Sequence, residues 1–127
     1  MAVGSMKELV RDAGKSVEAL FGQEAAKLVG IPGVLFADVR EGEELRKTGR
    51  LQGAVHVPPG LLEFQADPGS STHKQELGGD RALTLFCMSG GRSALAAKTL
   101  QDMGLDRVAH GEGGFSAPRD AGVPLEP

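Results

Sequence analysis

The 127-residue chain has no tryptophan, no tyrosine and one cysteine, and aromatic residues make up only 4% of it. One cysteine cannot close an intrachain disulfide, so a reducing cytoplasm suits the chain. Without Trp or Tyr it is poorly supplied for stacking on nucleic-acid bases. Positive charge is not in excess: 14 Lys and Arg against 17 Asp and Glu give a formal net charge of −3. That balance argues against nucleic acid or an anionic membrane as partner. No apolar run approaches the roughly 20 residues of a bilayer-spanning helix. Residues Met1–Met6 lack the basic and apolar regions of a signal peptide. The length suits one domain, residues 1–127, and the composition an ordinary soluble globular protein of the cytoplasm. Glycine is the residue in surplus, at 19 positions, about twice its usual share of ~7%.

Met6 to Gly22 places Leu9, Val10, Ala13, Val17, Leu20 and Phe21 at nearly helical spacing, but Gly14 interrupts it and Ser16–Leu20 fits a short strand equally well. Gln23–Val29 reads as a helix closed by Gly30 and the Pro32-Gly33 turn. Gly33–Val39 is a continuous apolar run of the kind found in buried parallel strands. A short helix over Glu43–Thr48, capped by Gly49, precedes a strand over Ala54–Val57 that Pro58-Pro59 stops. Gly60–Gln65 reads as a short helix, and Ala66–Asp80 as a polar loop with room for one helical turn at His73–Leu77. Ala82–Phe86 is a strand, Ser93–Met103 a helix stopped by Gly104, Arg107–His110 a short strand, and a weak helix closes the chain. Short apolar strands alternating with helices predict a parallel α/β sheet. In such sheets ligands bind beyond the carboxyl ends of the strands. Asp38–Arg40, Val57–Pro59, Cys87–Ser93 and Gly111–Gly114 all follow strand ends and are expected to rim one pocket.

Cys87 is the residue with chemistry to offer. It sits where the strand Ala82–Phe86 meets the turn Cys87-Met88-Ser89-Gly90-Gly91-Arg92-Ser93, directly before a helix. Backbone N–H groups of such a turn converge on one point, and the helix N-terminus adds partial positive charge. Both favour thiolate, the nucleophilic form, over thiol. Gly90 and Gly91 would let the loop turn its amides inward where side chains would crowd. Arg92 offers a fork of donors for an anion, or a surface ion pair. Ser93 can cap the helix, and Ser89 either meets the sulfur or faces solvent.

Four motifs make the chain similar to the rhodanese-like domain family of single-domain sulfurtransferases. In order they are Asp38-Val39-Arg40 after a strand; Gly49-Arg50-Leu51-Gln52-Gly53-Ala54-Val55-His56-Val57-Pro58, of the form G-x-[IL]-x-G-A-x-x-x-P; the Cys87–Arg92 loop followed by Ser93; and Gly113-Gly114-Phe115. They cover about residues 17–125, leaving 1–16 as an N-terminal extension. The resemblance implies a three-layer α/β/α fold with a five-stranded parallel sheet, and a Cys87 that carries sulfur as a persulfide. Thiosulfate or another small anionic or persulfide donor would load it; cyanide, a thiol or an acceptor protein would unload it. No cofactor and no metal are expected. Met88, Ser89, Gly90, Gly91, Arg92 and Ser93 would form the substrate-binding loop. The family usually has Trp after the double glycine, near Ala117-Pro118, and Pro118 there predicts a shifted last helix.

The remaining candidates have plainer expected roles. Asp38 and Arg40 are expected to be structural, fixing neighbouring loops near the site. His56, His73 and His110 lack metal-ligand spacing and are read as solvent-edge or core residues. Met88 is a plausible pocket wall, and Phe64 is expected to pack in the core beneath its short helix rather than form a lid. Two other functions compete. A cysteine-dependent phosphatase or arsenate reductase shares the loop plan, but its loop has five residues between Cys and Arg. Here Met88–Gly91 make four, no second cysteine can resolve a disulfide, and no general acid can be named. A non-catalytic binding module of the same fold would have no need to keep Cys87 and Arg92.

Overall fold

The computed structural model describes residues 4–78 and 80–126. Ser5 starts α1 (Met6–Gly14) by accepting the Glu8 N–H on its hydroxyl. The chain then extends into β1 (Glu18–Leu20), so the break at Gly14 separates a helix from a strand. Next come α2 (Gly22–Leu28) and β2 (Val34–Asp38). α3 (Gly42–Thr48) leads to β3 (Arg50–Leu51) and β4 (Val55–His56). α4 (Leu62–Ala66) follows a single 3-10 turn at Pro59–Leu61, and a second such turn, Gln75–Gly78, interrupts the long polar loop. β5 (Ala82–Phe86) leads into α5 (Gly91–Asp102), the longest helix described; β6 (Val108–Gly111), α6 (Ser116–Asp120) and β7 (Leu125–Glu126) complete the fold.

The main sheet has the order β1-β6-β5-β2-β4, with every pair parallel and β5 at its centre. Side chains alternate across it. Leu35 and Ala37 of β2 and Leu83 and Leu85 of β5 face a core shared with α4 and α5, and α1 packs on α5 from outside. Phe36 and Phe86 point the other way, into a smaller core with Leu51, Ala54 and Phe115. α2 and α6 pack together on this second face. The expected three-layer α/β/α arrangement with a five-stranded parallel sheet is therefore what the chain adopts.

Several details differ from the sequence expectation. β4 is two residues long rather than Ala54–Val57, and the helix expected over Gly60–Gln65 starts later, after a turn with Pro59 in its first position. Phe64 is 60% exposed, not core. The reason is helical geometry: Leu62 and Ala66, four apart, share the buried face of α4, and Phe64 between them falls on the opposite side. β3 and β7 form a small antiparallel ribbon through Arg50–Glu126 and Leu51–Leu125, which two-residue strands gave no pattern to foresee. Pro118 falls within the first turn of α6, where a missing N–H leaves no helical bond unmade. Among the described residues, no helix is long and apolar enough to cross a membrane.

Candidate active site

The carboxyl ends of the parallel strands converge on one edge. Val39 donates its N–H to the Phe86 carbonyl at 2.9 Å, Val57 to that of Asp38 at 2.9 Å, and Glu112 to that of Leu20 at 2.8 Å. These bonds hold the turns after β1, β2, β4, β5 and β6 side by side. Cys87, the first residue beyond β5, continues its alternation and turns inward to the α5 face, where it is 1% exposed.

The loop then reverses around the sulfur. Gly90, the residue before α5, has φ +108, a left-handed conformation that side chains other than glycine rarely take. That twist points the Gly90 N–H at Sγ, 3.1 Å away, and the Ser93 N–H reaches it at 3.4 Å from the first turn of α5. The Ser93 hydroxyl lies 3.7 Å from Sγ. Burial pushes the thiol pKa up. The Ser93 N–H, the Ser93 hydroxyl and the N–H groups of Gly90 and Ser89 outweigh it, and the net direction is down. The sulfur is thus buried, with donors of its own loop drawing its pKa down.

The two loop glycines are not equivalent, which corrects the expectation that side chains would crowd at both. A methyl at Gly91 would meet only Val10 Cγ2 of α1, at an ordinary 3.8 Å, and Gly91 does not have a positive φ. The crowded glycine lies outside the loop. Gly114 has φ +71, and a methyl there would stand 2.6 Å from the Cys87 carbonyl oxygen and closer still to that of Met88. Next to it, the Phe115 N–H donates to the Cys87 carbonyl at 2.7 Å. The Gly113-Gly114-Phe115 turn therefore clasps the backbone of Cys87 and Met88.

Arg92 does not present an open fork. Its two terminal nitrogens meet the Glu44 carboxylate at 2.6 and 2.8 Å, tying α5 to α3. The Arg92 guanidinium holds the Glu44 pKa down to about 2, and the carboxylate in turn raises that of Arg92. Glu44 was not singled out in the sequence. It lies 48 positions from Arg92, and no local spacing links them.

Asp38 and Arg40 are fully buried against each other. The Arg40 Nη2 to Asp38 Oδ2 distance is 2.8 Å, and the Asp38 carboxylate also accepts the Arg40 backbone N–H at 3.0 Å. Arg40 further donates to the Thr48 hydroxyl at 2.8 Å and the Gly49 carbonyl at 3.1 Å, and lies 4.1 Å over the Phe115 ring. This pair joins the end of β2 to the end of α3 and to the double-glycine turn without touching the sulfur. Met88 and Ser89 form the outer rim of the loop, Met88 half-buried and Ser89 exposed. His56 lies against the Arg40 carbonyl at 2.8 Å and His73 against that of Gln65 at 3.0 Å. His110 is 3% exposed, with Nδ1 3.1 Å from the Ser93 hydroxyl. Among the described residues, no three His, Cys, Asp or Glu side chains come together as metal ligands would.

The family model for the rhodanese-like domain matches residues 22–120, and the chain belongs to that family. It is similar over nearly its whole length to a protein from Rhodopseudomonas palustris CGA009 described as of unknown function and a possible tyrosine phosphatase. The identity is 41%, the TM-score 0.93, and the match covers 99% of this chain and 97% of that one. The polysulfide-sulfur transferase homodimer of Wolinella succinogenes superposes with a TM-score of 0.73 at 28% identity, over 94% of this chain and 85% of that one. A protein of Bacillus subtilis proposed as a sulfur carrier, YrkF, is 37% identical over 71 residues, 56% of this chain. That match spans about a third, 34%, of the length of this curated relative.

Proposed function

We propose that this chain is a sulfurtransferase that carries a sulfane sulfur as a persulfide on Cys87. Membership in the rhodanese-like family, with a proposed sulfur carrier and a polysulfide-sulfur transferase among its relatives, supports sulfur transfer as the general chemistry. The observation that carries the reading is the cradle: a thiol lowered in pKa by backbone donors at 3.1 and 3.4 Å, at the end of the central strand.

The thiolate attacks the outer sulfur of a donor such as thiosulfate. A new S–S bond forms, the sulfur–sulfonate bond breaks, and sulfite leaves with its electron pair. The outer persulfide sulfur keeps the negative charge, and the amides of Met88 to Ser93 hold it as an oxyanion hole holds oxygen. Cyanide, a thiol or an acceptor protein then attacks that sulfur and restores the Cys87 thiolate. Arg92 acts here as a fixed positive charge beside the loop, its orientation held by Glu44. Asp38 and Arg40 brace the loop's neighbours. We read residues 1–127 as one such domain, working in a reducing compartment such as the cytoplasm, where its lone thiol stays free.

The likeness to the Rhodopseudomonas protein raises a phosphatase as the second reading. A phosphate would need the Arg92 fork, which Glu44 occupies through both nitrogens, and four residues between Cys87 and Arg92 make a tight cradle for a tetrahedral anion. Mass spectrometry after incubation with thiosulfate or a polysulfide separates the two. A gain of one sulfur atom, removed by cyanide and absent in Cys87→Ala, is the expected result. Absence of any adduct with either donor, together with Cys87-dependent hydrolysis of para-nitrophenyl phosphate, would establish the phosphatase instead.

A further inference from the structure

Behind the nucleophile stands a buried histidine for which the sulfur-transfer steps have no task. His110, in β6, shares the α5-facing side of the sheet with Val108. Its Nδ1 lies 3.1 Å from Ser93 Oγ, and that same oxygen lies 3.7 Å from Cys87 Sγ. On the far side of the ring, Nε2 lies 3.6 Å from Oε2 of the half-exposed Glu112. Ser93 is fully buried. Sulfur, hydroxyl and imidazole follow one another, and the Glu112 carboxylate stands 3.6 Å beyond the ring, past hydrogen-bond reach but near enough to act through its charge.

Donor and acceptor capacity gives this row a direction. An ionised carboxylate only accepts, so Glu112 favours the imidazole hydrogen on Nε2 and leaves the Nδ1 lone pair toward Ser93. The Ser93 hydroxyl lies 3.1 Å from both the Gly90 carbonyl and Nδ1; the relay runs when its hydrogen is turned to Nδ1, its oxygen then accepting from the thiol. We propose that His110 is the internal proton acceptor for Cys87, taking the thiol proton through the Ser93 hydroxyl while the charge of Glu112 faces the far side of its ring. The proposal rests on Cys87 being the nucleophile of the preceding section.

In this step the S–H bond breaks and its electron pair stays on Sγ. The proton bonds to Ser93 Oγ as the hydroxyl's own hydrogen passes to Nδ1. The products are a thiolate and an imidazolium, with no change in net charge. The renewed Ser93 hydroxyl now donates to Sγ, Nδ1–H donates to Ser93, and Nε2–H faces Glu112. His110 touches neither sulfur donor nor acceptor and is a positioning residue for Cys87.

The surroundings suit the assignment. Burial moves the His110 pKa down, favouring the neutral ring from which the transfer starts, and Glu112 pulls it up, favouring the imidazolium that the transfer makes. β1 pairs Ala19 beside His110 and β5 pairs Leu85, neither of which titrates. On α5, Arg92 is engaged by Glu44, and Lys98 by Asp102. The charged residues of α1, Lys7, Glu8, Arg11 and Asp12, and Lys15 just after it, are all exposed.

The single cysteine and the absence of Tyr and Trp make the test direct, because thiolate absorbance near 240 nm and iodoacetamide alkylation report Cys87 alone. His110→Asn keeps an amide that can bond Ser93 but cannot take a proton at neutral pH. Its thiolate titration should move up by about one pH unit, a roughly tenfold slower alkylation below the midpoint. The wild type should titrate in two coupled steps and the variant in one. Reciprocally, Cys87→Ser should lower the His110 midpoint followed by ring-proton NMR, which decides the matter if His110→Asn fails to fold. A His110→Asn profile that overlays the wild type or moves down, or a His110 midpoint unmoved in Cys87→Ser, overturns the proposal. These readouts need no sulfur donor, so they stand apart from any failure of sulfur loading.

Discussion

Gly114→Ala is the sharpest perturbation of the site, because it acts on Cys87 from a different segment. The added methyl would lie 2.6 Å from the Cys87 carbonyl oxygen, with the Met88 carbonyl nearer. Ordinary carbon contacts are about 3.5 Å, so backbone must retreat by about 1 Å, and no flexible side chain can absorb the clash. The left-handed φ of +71 adds about 1–2 kcal/mol for alanine. Overpacking of a buried turn costs about 1–3 kcal/mol more. The expected loss is therefore about 2–5 kcal/mol, or at least about 6 °C in Tm for a chain of this size. If Cys87 carries the sulfur as proposed, a retreat of about 1 Å there should cost about 100-fold in kcat/KM. Gly91→Ala is the internal control. Its methyl points at Val10, 3.8 Å away, from a residue without positive φ. It should keep activity within about twofold and gain about 0.5 kcal/mol, since alanine suits a helix better than glycine. Thermal melts and thiosulfate–cyanide transfer assays on both variants decide it. A Gly114→Ala protein with wild-type Tm and kcat/KM within threefold would refute the clasp.

Three further outcomes follow from the ion pairs and the sulfur. Glu44→Gln should free the Arg92 fork and lower the KM for thiosulfate several-fold at a stability cost of about 1 kcal/mol; an unchanged or raised KM would show that Arg92 does not meet the donor. Because the Glu44 pKa is depressed to about 2, its pair contributes stability fully above the unfolded carboxylate value of about 4.3 and loses it as pH falls through the folded value. Urea melts of wild type should therefore weaken more steeply than those of Glu44→Gln between about pH 4 and 2, and parallel slopes would contradict the assignment. Asp38→Ala leaves the fully buried Arg40 guanidinium without its counter-charge and should cost about 3–5 kcal/mol; a loss below 1 kcal/mol in chemical denaturation would show the pair to be dispensable.

Much of the fold was legible in the chain, for definite reasons. Ala82–Phe86 is a strand with the expected bounds because five apolar or β-favouring residues lie between a charged residue and a glycine-rich turn. The parallel sheet followed from the alternation of strand and helix. Weak local signals misled where packing decides. α4 has too few turns to announce which face it buries, so Phe64 looked like core. The β3–β7 ribbon joins segments whose pairing rests on where the chain end docks.

At the site the division is similar. The sequence by itself determined that one thiol would stand at the end of a strand, before glycines and a helix, because residue order and backbone propensity are local properties. Only the tertiary structure decided that Glu44 closes the Arg92 fork, that Gly114 rather than Gly91 is pressed against the loop, and that His110 lies behind Ser93. Those partners come from other turns at the same sheet edge. Contacts between segments so far apart along the chain leave no spacing to read. They exist because parallel strands bring all their carboxyl ends to one place.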